Sequence, residues 1–465
     1  MAAPFLSQER RRGEKMDNKE AQFKKMTEEP VSRLILSLAV PTIISMMVTA
    51  IYNTADTYFV SQLGTSASGA VGIVMSLMGI IQSSGFLIGM GSGSWMSRLL
   101  GEKKEAEVSE VAASGFYFAL VIGALITVFG VLFLEPLVLL LGATETIRPY
   151  AMEYAQYILY AAPFLIASFS LNKMLCAEGK ARFAMVGIAS GGILNIFLDP
   201  LFIFVFRMGI AGAAVATALS QIFSFLVLLY MFISGRTIAK LNIRHASRHA
   251  VRYLQIAKYG MPSFFRQGLS SVAMIAMNVQ AAKYGDSAVS AMAIVTKVFM
   301  LIFSVVIGFG QGYQPVAGYN YGAKRYGRVK DSFLFMTKTA TFFLCIFAVV
   351  GYFAAPSVIR LFIKNDPEVI KIGTETMRFQ CVSMPFLPLA VCCNMTFQTI
   401  GKSAIATFLA SARQGYVFLP LIFILPQFLG IDGVELSQPM ADIIAFFICI
   451  PFMIRFFREL GAAQE

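Results

Sequence analysis

Asp56 and Asp199 are the residues of this 465-residue chain whose types and positions point most directly to chemistry. Each stands in an apolar run: Asp56 in PTIISMMVTAIYNTADTYFVSQLG (41–64), Asp199 in GGILNIFLDPLFIF (191–204). A carboxylate in hydrocarbon is costly, so it faces the protein interior and marks an ion or substrate path. Asn195 lies one helical turn before Asp199, on the same face. Two carboxylates with amide and hydroxyl oxygens form a hard-ligand set for Na+, or a site for a proton. Pro200 removes a backbone N–H beside the acid, which predicts a kinked helix there. The competing reading places both acids near helix ends, wetted by lipid headgroups.

The elements that must hold these acids follow from composition. The chain is 57% hydrophobic and 14% charged, too little polar surface for a soluble domain of this length. A spanning helix takes about 20 apolar residues. Twelve such runs follow one another, the first at 34–60 and the last at 433–457. The net charge of +12 sits in loops and in the N-terminal tail, the pattern that orients a membrane protein; no basic, aromatic-bearing soluble domain exists to bind nucleic acid. One set of loops holds Lys103, Lys104, Lys180, Arg182, the basic stretch around Arg244 and Arg252, Lys324, Arg325, Arg328, Lys330 and Lys402. The alternate loops offer Arg148, Arg207, Lys283 and Lys364 among Glu145, Asp286, Asp366 and Asp432. The first set is therefore expected on the cytoplasmic side, with both termini inside. Residues 1–33, with Arg10, Arg11, Arg12, Lys15 and Lys19, read as a cytoplasmic tail rather than a signal peptide.

The chain also repeats itself. A shift of 221 residues lays Pro41 on Pro262, Gly64 on Gly285, Gly91 on Gly312, Gly101 on Gly322 and Gly209 on Gly430. A shift of 222 lays Asn172 on Asn394 and Gly179–Lys180 on Gly401–Lys402. Each half carries six spans, an even number, so both halves sit the same way up, related by an axis along the membrane normal. The expected organisation is an N-lobe at 34–234, a basic linker at 235–259, a C-lobe at 260–457 and a short cytoplasmic tail at 458–465.

Other motifs have plainer readings. The six cysteines, among them Cys176 and the adjacent Cys392 and Cys393, fall in apolar runs without C-x-x-C spacing and read as packing residues. The glycines at 85–93 and 308–312 read as close helix packing rather than phosphate cradles. His245 and His249 stand four apart in the basic linker and read as solvated. Trp95, at the end of its span, reads as an interface anchor. Lys297, Arg378 and Arg413 lie inside second-half spans, where each could line a cavity, meet backbone carbonyls or snorkel. Without a nucleophile or acid–base constellation, the chain is not expected to be an enzyme. The 25 methionines and 42 phenylalanines suit an adaptable cavity and lipid-facing helices equally.

Together the Pro41…Asp56…Gly64 pattern, the 235–259 linker, GMPSFFRQG at 260–268 and GFGQGYQPVAGYNYGAKRYGRVK at 308–330 resemble the multidrug and toxic compound extrusion (MATE) family, most of all its MepA-type branch of bacterial drug exporters. The resemblance implies an all-α integral membrane fold: twelve helices in two six-helix repeats arranged as a V. It implies export of amphipathic, often cationic small molecules by antiport with H+ or Na+, in a bacterial plasma membrane. It also implies a cation-coupling network of Asp56, Tyr154, Asn195, Asp199 and Thr217, and a hinge at Pro41 in the first helix. No cofactor is expected beyond the coupling ion, no metal beyond Na+ at Asp56, Asn195 and Asp199, and the protein is expected to act as a monomer. Met46, Asn172, Gln267, Asn278 and Tyr313 are candidates for lining the cargo cavity. The alternative of the same architecture is a flippase for lipid-linked saccharides or other lipids.

Overall fold

The computed structural model describes residues 20–363 and 366–462. Arg10, Arg11, Arg12, Lys15 and Lys19 of the tail, Lys364, and residues 463–465 lie outside the described residues. The molecule is helical almost throughout. We number its long helices α1 (Val31–Ser61), α2 (Thr65–Gly101), α3 (Glu105–Leu132), α4 (Arg148–Ala177), α5 (Ala181–Val205), α6 (Gly209–Ile233), α7 (Ala250–Ala282), α8 (Asp286–Gly322), α9 (Tyr326–Phe362), α10 (Pro367–Thr399), α11 (Ser403–Leu429) and α12 (Ile431–Ala462). Eleven of these are long and apolar enough to cross a membrane. The exception is α7. It begins at Ala250, inside the stretch read as linker, and carries Arg252, Lys258 and Arg266.

The backbone repeats with the sequence. Lys103 and Lys324, 221 residues apart, are two of the three non-glycine residues with positive φ among the described residues, at 59° and 57°. Gly64 and Gly285 open α2 and α8 at φ 111° and 99°, a conformation that penalises any Cβ. Each half therefore turns its corners in the same way. Regular α-helix ends at Pro200, where a kink is expected, and α5 continues as a widened, π-type turn over Leu201–Val205.

The two halves meet near the end of the bundle that carries the basic loops. There α1 packs on α8, and α2 on α7 and α8. Small residues permit it, in symmetry-related pairs: a Cβ on Gly101 would overlap the Tyr319 carbonyl, and one on Gly322 would overlap the Arg98 carbonyl. Likewise Gly260 lies against Leu87, and Gly308 against Ile43. The glycine runs thus serve the close packing expected of them. The Thr42 hydroxyl adds a 2.6 Å bond to the Gly308 carbonyl, one residue after Pro41 in a continuous α1. Trp95 does not anchor to headgroups: it is 8% exposed, edge-on to Tyr259 and under the Arg252 guanidinium. The span ends at the seam between the halves, so the indole is taken up there.

The same end is tied from below. Buried Glu178, between α4 and α5, accepts the backbone N–H groups of Ile238 and Ala239 at 2.9 and 2.8 Å, and the Lys180 ammonium at 2.8 Å. The helical stretch 20–28 straddles both halves: Gln22 donates to the Glu178 carbonyl, while Arg325 and Arg328 donate to the Thr27 and Glu29 carbonyls.

Candidate functional site

Gly191 and Gly192 determine how the N-terminal half builds its polar centre. A Cβ on Gly192 would stand 2.9 Å from Val48 and 3.0 Å from Tyr52, and one on Gly191 would stand 2.8 Å from the Ser220 carbonyl. Without side chains at both positions, α5 approaches α1 and α6 closely. One turn further along α5, Asn195 is thereby delivered against Thr217 on α6, with Asp199 one turn beyond.

All five residues of the expected network converge in this interior and are buried: Asp56, Tyr154, Asn195, Asp199 and Thr217. The Tyr154 hydroxyl on α4 donates to Asp56 Oδ2 at 3.5 Å. Asn195 Nδ2 donates to Asp199 Oδ1 at 3.0 Å and to Thr217 Oγ1 at 3.3 Å. The two carboxylates are close enough to interact electrostatically. Asp56 Oδ1, Asn195 Oδ1 and Asp199 Oδ2 are buried with no hydrogen-bond donor among the described residues. Neither acid faces headgroups. A buried acceptor without a donor costs about 1–3 kcal/mol, and more when charged. Oxygen ligands gathered in this way suit a hard monovalent cation, or protons on the carboxylates.

Beyond the seal the halves part around a cavity of about 420 Å3, lined from both sides. Of the five cavity candidates, Met46, Asn172 and Gln267 line it. The Asn172 amide also pins α4 to the Ala184 carbonyl at 2.9 Å, as its repeat partner Asn394 does to Ala406 at 2.6 Å. Asn278 and Tyr313 do not line the cavity. Asn278 is exposed on α7, just past Met277, the last residue of that helix to line the cavity. Tyr313 is fully buried in the C-terminal half, its hydroxyl 2.7 Å from Thr396.

The cavity also holds four charged residues, Lys173, Arg266, Arg413 and Asp442. Sequence reasoning passed over three of them and left the fourth, Arg413, open. Arg413 pairs with Asp442 at 2.6 Å and stacks on Phe303. Gln438 and Ser383 donate to the same carboxylate at 2.8 and 3.4 Å. Of the other second-half cations, Lys297 is exposed, and Arg378 donates to the Tyr352 carbonyl and covers its ring. The signal that could have found Lys173, Arg266 and Asp442 is the one that found Asp56: a charge inside an apolar run. Apart from the cavity, Glu375, Asp432 and Glu435 gather their carboxylates within 4.8 Å of one another.

A helical bundle of two like halves, with a buried cluster of oxygen ligands in one half and a cavity between them, defines a polytopic membrane protein of the MATE fold. The chain belongs to the MatE family, whose pattern matches residues 41–201 and 262–424. The two matched stretches begin at Pro41 and Pro262, the pair that also starts the repeat. The chain is 26% identical over 433 residues to the multidrug export protein MepA of Staphylococcus haemolyticus (strain JCSC1435), covering 93% of this chain and 95% of that protein. Among solved structures it superposes with TM-score 0.89 at 25% identity on a MATE protein in complex with MaL6, covering 95% of this chain and 99% of the other. A second, at TM-score 0.88 and 25% identity, is the outward-facing conformation of a multidrug resistance MATE family transporter of the MOP superfamily, with 94% and 98% covered.

Proposed function

We propose that the protein is a secondary active multidrug exporter of a bacterial plasma membrane, driven by antiport of H+ or Na+. The observation that carries this reading is the cluster of donor-free buried oxygens at Asp56, Asn195 and Asp199. Tyr154 and Thr217 complete it. The basic end of the bundle is the cytoplasmic one, by the distribution of lysine and arginine in short loops. The halves are sealed there and parted at the other end, an outward-open state. Cation binding pulls α1 toward α5 and α6 and biases the lobes toward one state; cargo in the cavity favours the other. Coupling of this kind requires each ligand to bind the two states with different affinity. Pro41 is the hinge, since it leaves α1 one backbone bond short beside the Thr42–Gly308 contact.

Proteoliposomes with an imposed pH gradient or an imposed Na+ gradient test the reading. One of the two gradients should drive uphill movement of a dye, and dissipating it should stop that movement. Dye movement that ignores both gradients would remove ion antiport. The resemblance also implied cationic cargo. The charges lining the cavity do not support that part, with three cations against one carboxylate.

A further inference from the structure

Lys173 and Arg266 approach the cavity from opposite lobes, one on α4 and one on α7, and both line it. Neither meets an acid. Lys173 is 5% exposed; its ammonium donates to Gln311 Oε1 at 2.7 Å and lies 5.3 Å from the Phe86 ring. Arg266 donates to Asn394 Oδ1 at 3.1 Å and Ser263 Oγ at 3.5 Å. Among the described residues no carboxylate stands within ion-pair distance of either. The two cations are near enough to repel each other. Burying like charges without a counter-charge is expensive, and packing does not require it. Arg413, in the same cavity, shows the ordinary remedy in its bond to Asp442. Gln311 Nε2 is a further donor left without a partner, on the side chain that already holds Lys173. Around these donors the walls are apolar and adaptable: Met46, Phe86, Phe169, Met274, Phe299 and Phe303.

We infer that the cavity binds an amphipathic organic anion, whose carboxylate, sulfonate or phosphate sits between Lys173 and Arg266 and whose apolar body lies on the Met and Phe walls. The anion supplies the missing counter-charge, Gln311 Nε2 gives it a neutral donor, and Arg413 stays neutralised by Asp442. This rests on the exporter reading for the direction of transport, but not for binding. A charge-assisted bond is stronger than a neutral one and the site excludes water, so affinity for the anionic form should exceed that for a cation of the same shape.

The test compares carboxyfluorescein with tetramethylrosamine, an anion and a cation built on related xanthene frames. Equilibrium dialysis uses the purified full chain in a neutral detergent. Carboxyfluorescein should bind the more tightly, and added salt should weaken it. Lys173→Gln and Arg266→Gln should each weaken it roughly tenfold. Lys173→Arg should retain most of the binding. Tighter binding of tetramethylrosamine, or carboxyfluorescein binding indifferent to salt and to both glutamine variants, would overturn the inference. If those variants do not fold, the dye preference and the salt dependence of the wild-type chain decide alone. Phosphatidylcholine proteoliposomes containing labelled phosphatidylglycerol separate the two sources of such an anion. Translocation of the labelled lipid, inhibited by carboxyfluorescein, assigns a lipid headgroup; uptake of the dye without lipid movement assigns a soluble anion. Anion binding without gradient-driven transport would keep this site and sink the exporter reading. Gradient-driven movement of tetramethylrosamine without carboxyfluorescein binding would do the reverse.

Discussion

The polar centres of the two halves treat a buried carboxylate in opposite ways. In the C-terminal half Asp442 is satisfied by Arg413 at 2.6 Å, Gln438 at 2.8 Å and Ser383 at 3.4 Å. In the N-terminal half two carboxylates share a single short bond, from Asn195, and a long one from Tyr154; each keeps an oxygen with no donor. The scaffold is duplicated, down to the positive φ at Lys103 and Lys324, but the charge balance is not. At a shift of 221, Asp56 falls on Met277 and Thr217 on Gln438, the residue that donates to Asp442. A carboxylate already neutralised has no affinity left to couple to an ion. One left short of donors does. On the proposed reading, the difference separates a lobe that takes up the coupling ion from a lobe that holds its shape beside the cargo.

The comparison breaks most easily at the two N-lobe acids. Asp56→Asn and Asp199→Asn keep the shape but convert each proposed cation ligand into a group with its own donor. Each should abolish gradient-driven dye export while leaving expression and detergent stability near wild type. The measurement is proteoliposome transport beside thermal unfolding, and full transport in both variants would end the assignment. Asp442→Asn should do the converse. It leaves Arg413 without its counter-charge, and breaking a buried pair costs about 3–5 kcal/mol. Arg413 is 18% exposed, so the lower end of that range applies. A clear fall in Tm is expected with the ion requirement unaltered, together with tighter binding of carboxyfluorescein to a cavity now holding three free cations.

What was legible in the sequence follows the same division. Apolar runs, the even number of spans and the glycine and proline register of the repeat are one-dimensional signals, and they sufficed for the fold. Asp56 and Asp199 stood out because a charge in an apolar run is costly whatever surrounds it, and Asn195 because it lies one turn before Asp199. Lys173, Arg266 and Asp442 carry that signal too, but nothing in the linear order says that α4, α7 and α12 face one cavity. Asn278 and Tyr313 do not line the cavity for a related reason: a polar residue in a span can lie just past the cavity's edge, as Asn278 does beyond Met277, or bond its own lobe, as Tyr313 does with Thr396. Trp95 was misplaced because a span end can lie at a seam between lobes as well as at a membrane surface. The start of α7 at Ala250 was hidden by the basic residues that the helix shares with the linker.

The smallest expected effect tests how finely the N-lobe cluster is tuned. Thr217 Oγ1 accepts from the same Asn195 amide that bonds Asp199, at 3.3 Å against 3.0 Å. The hydroxyl therefore restrains the Asn195 side chain and leaves its Oδ1 directed away from both bonds, donor-free beside the two acids. Thr217→Val keeps the shape and removes that acceptor. The loss is one neutral hydrogen bond, about 1 kcal/mol, or roughly a fivefold rise in the driving-ion concentration that gives half-maximal transport. Maximal rate and dye affinity should hold, because neither acid and no cavity residue is changed. The corresponding change in the other half, Gln438→Leu, removes a donor to Asp442 and should lower stability by a similar amount without moving the ion dependence. If Gln438→Leu shifts the ion dependence as much as Thr217→Val does, the two lobes are not divided between ion and cargo, and the ion is bound across both.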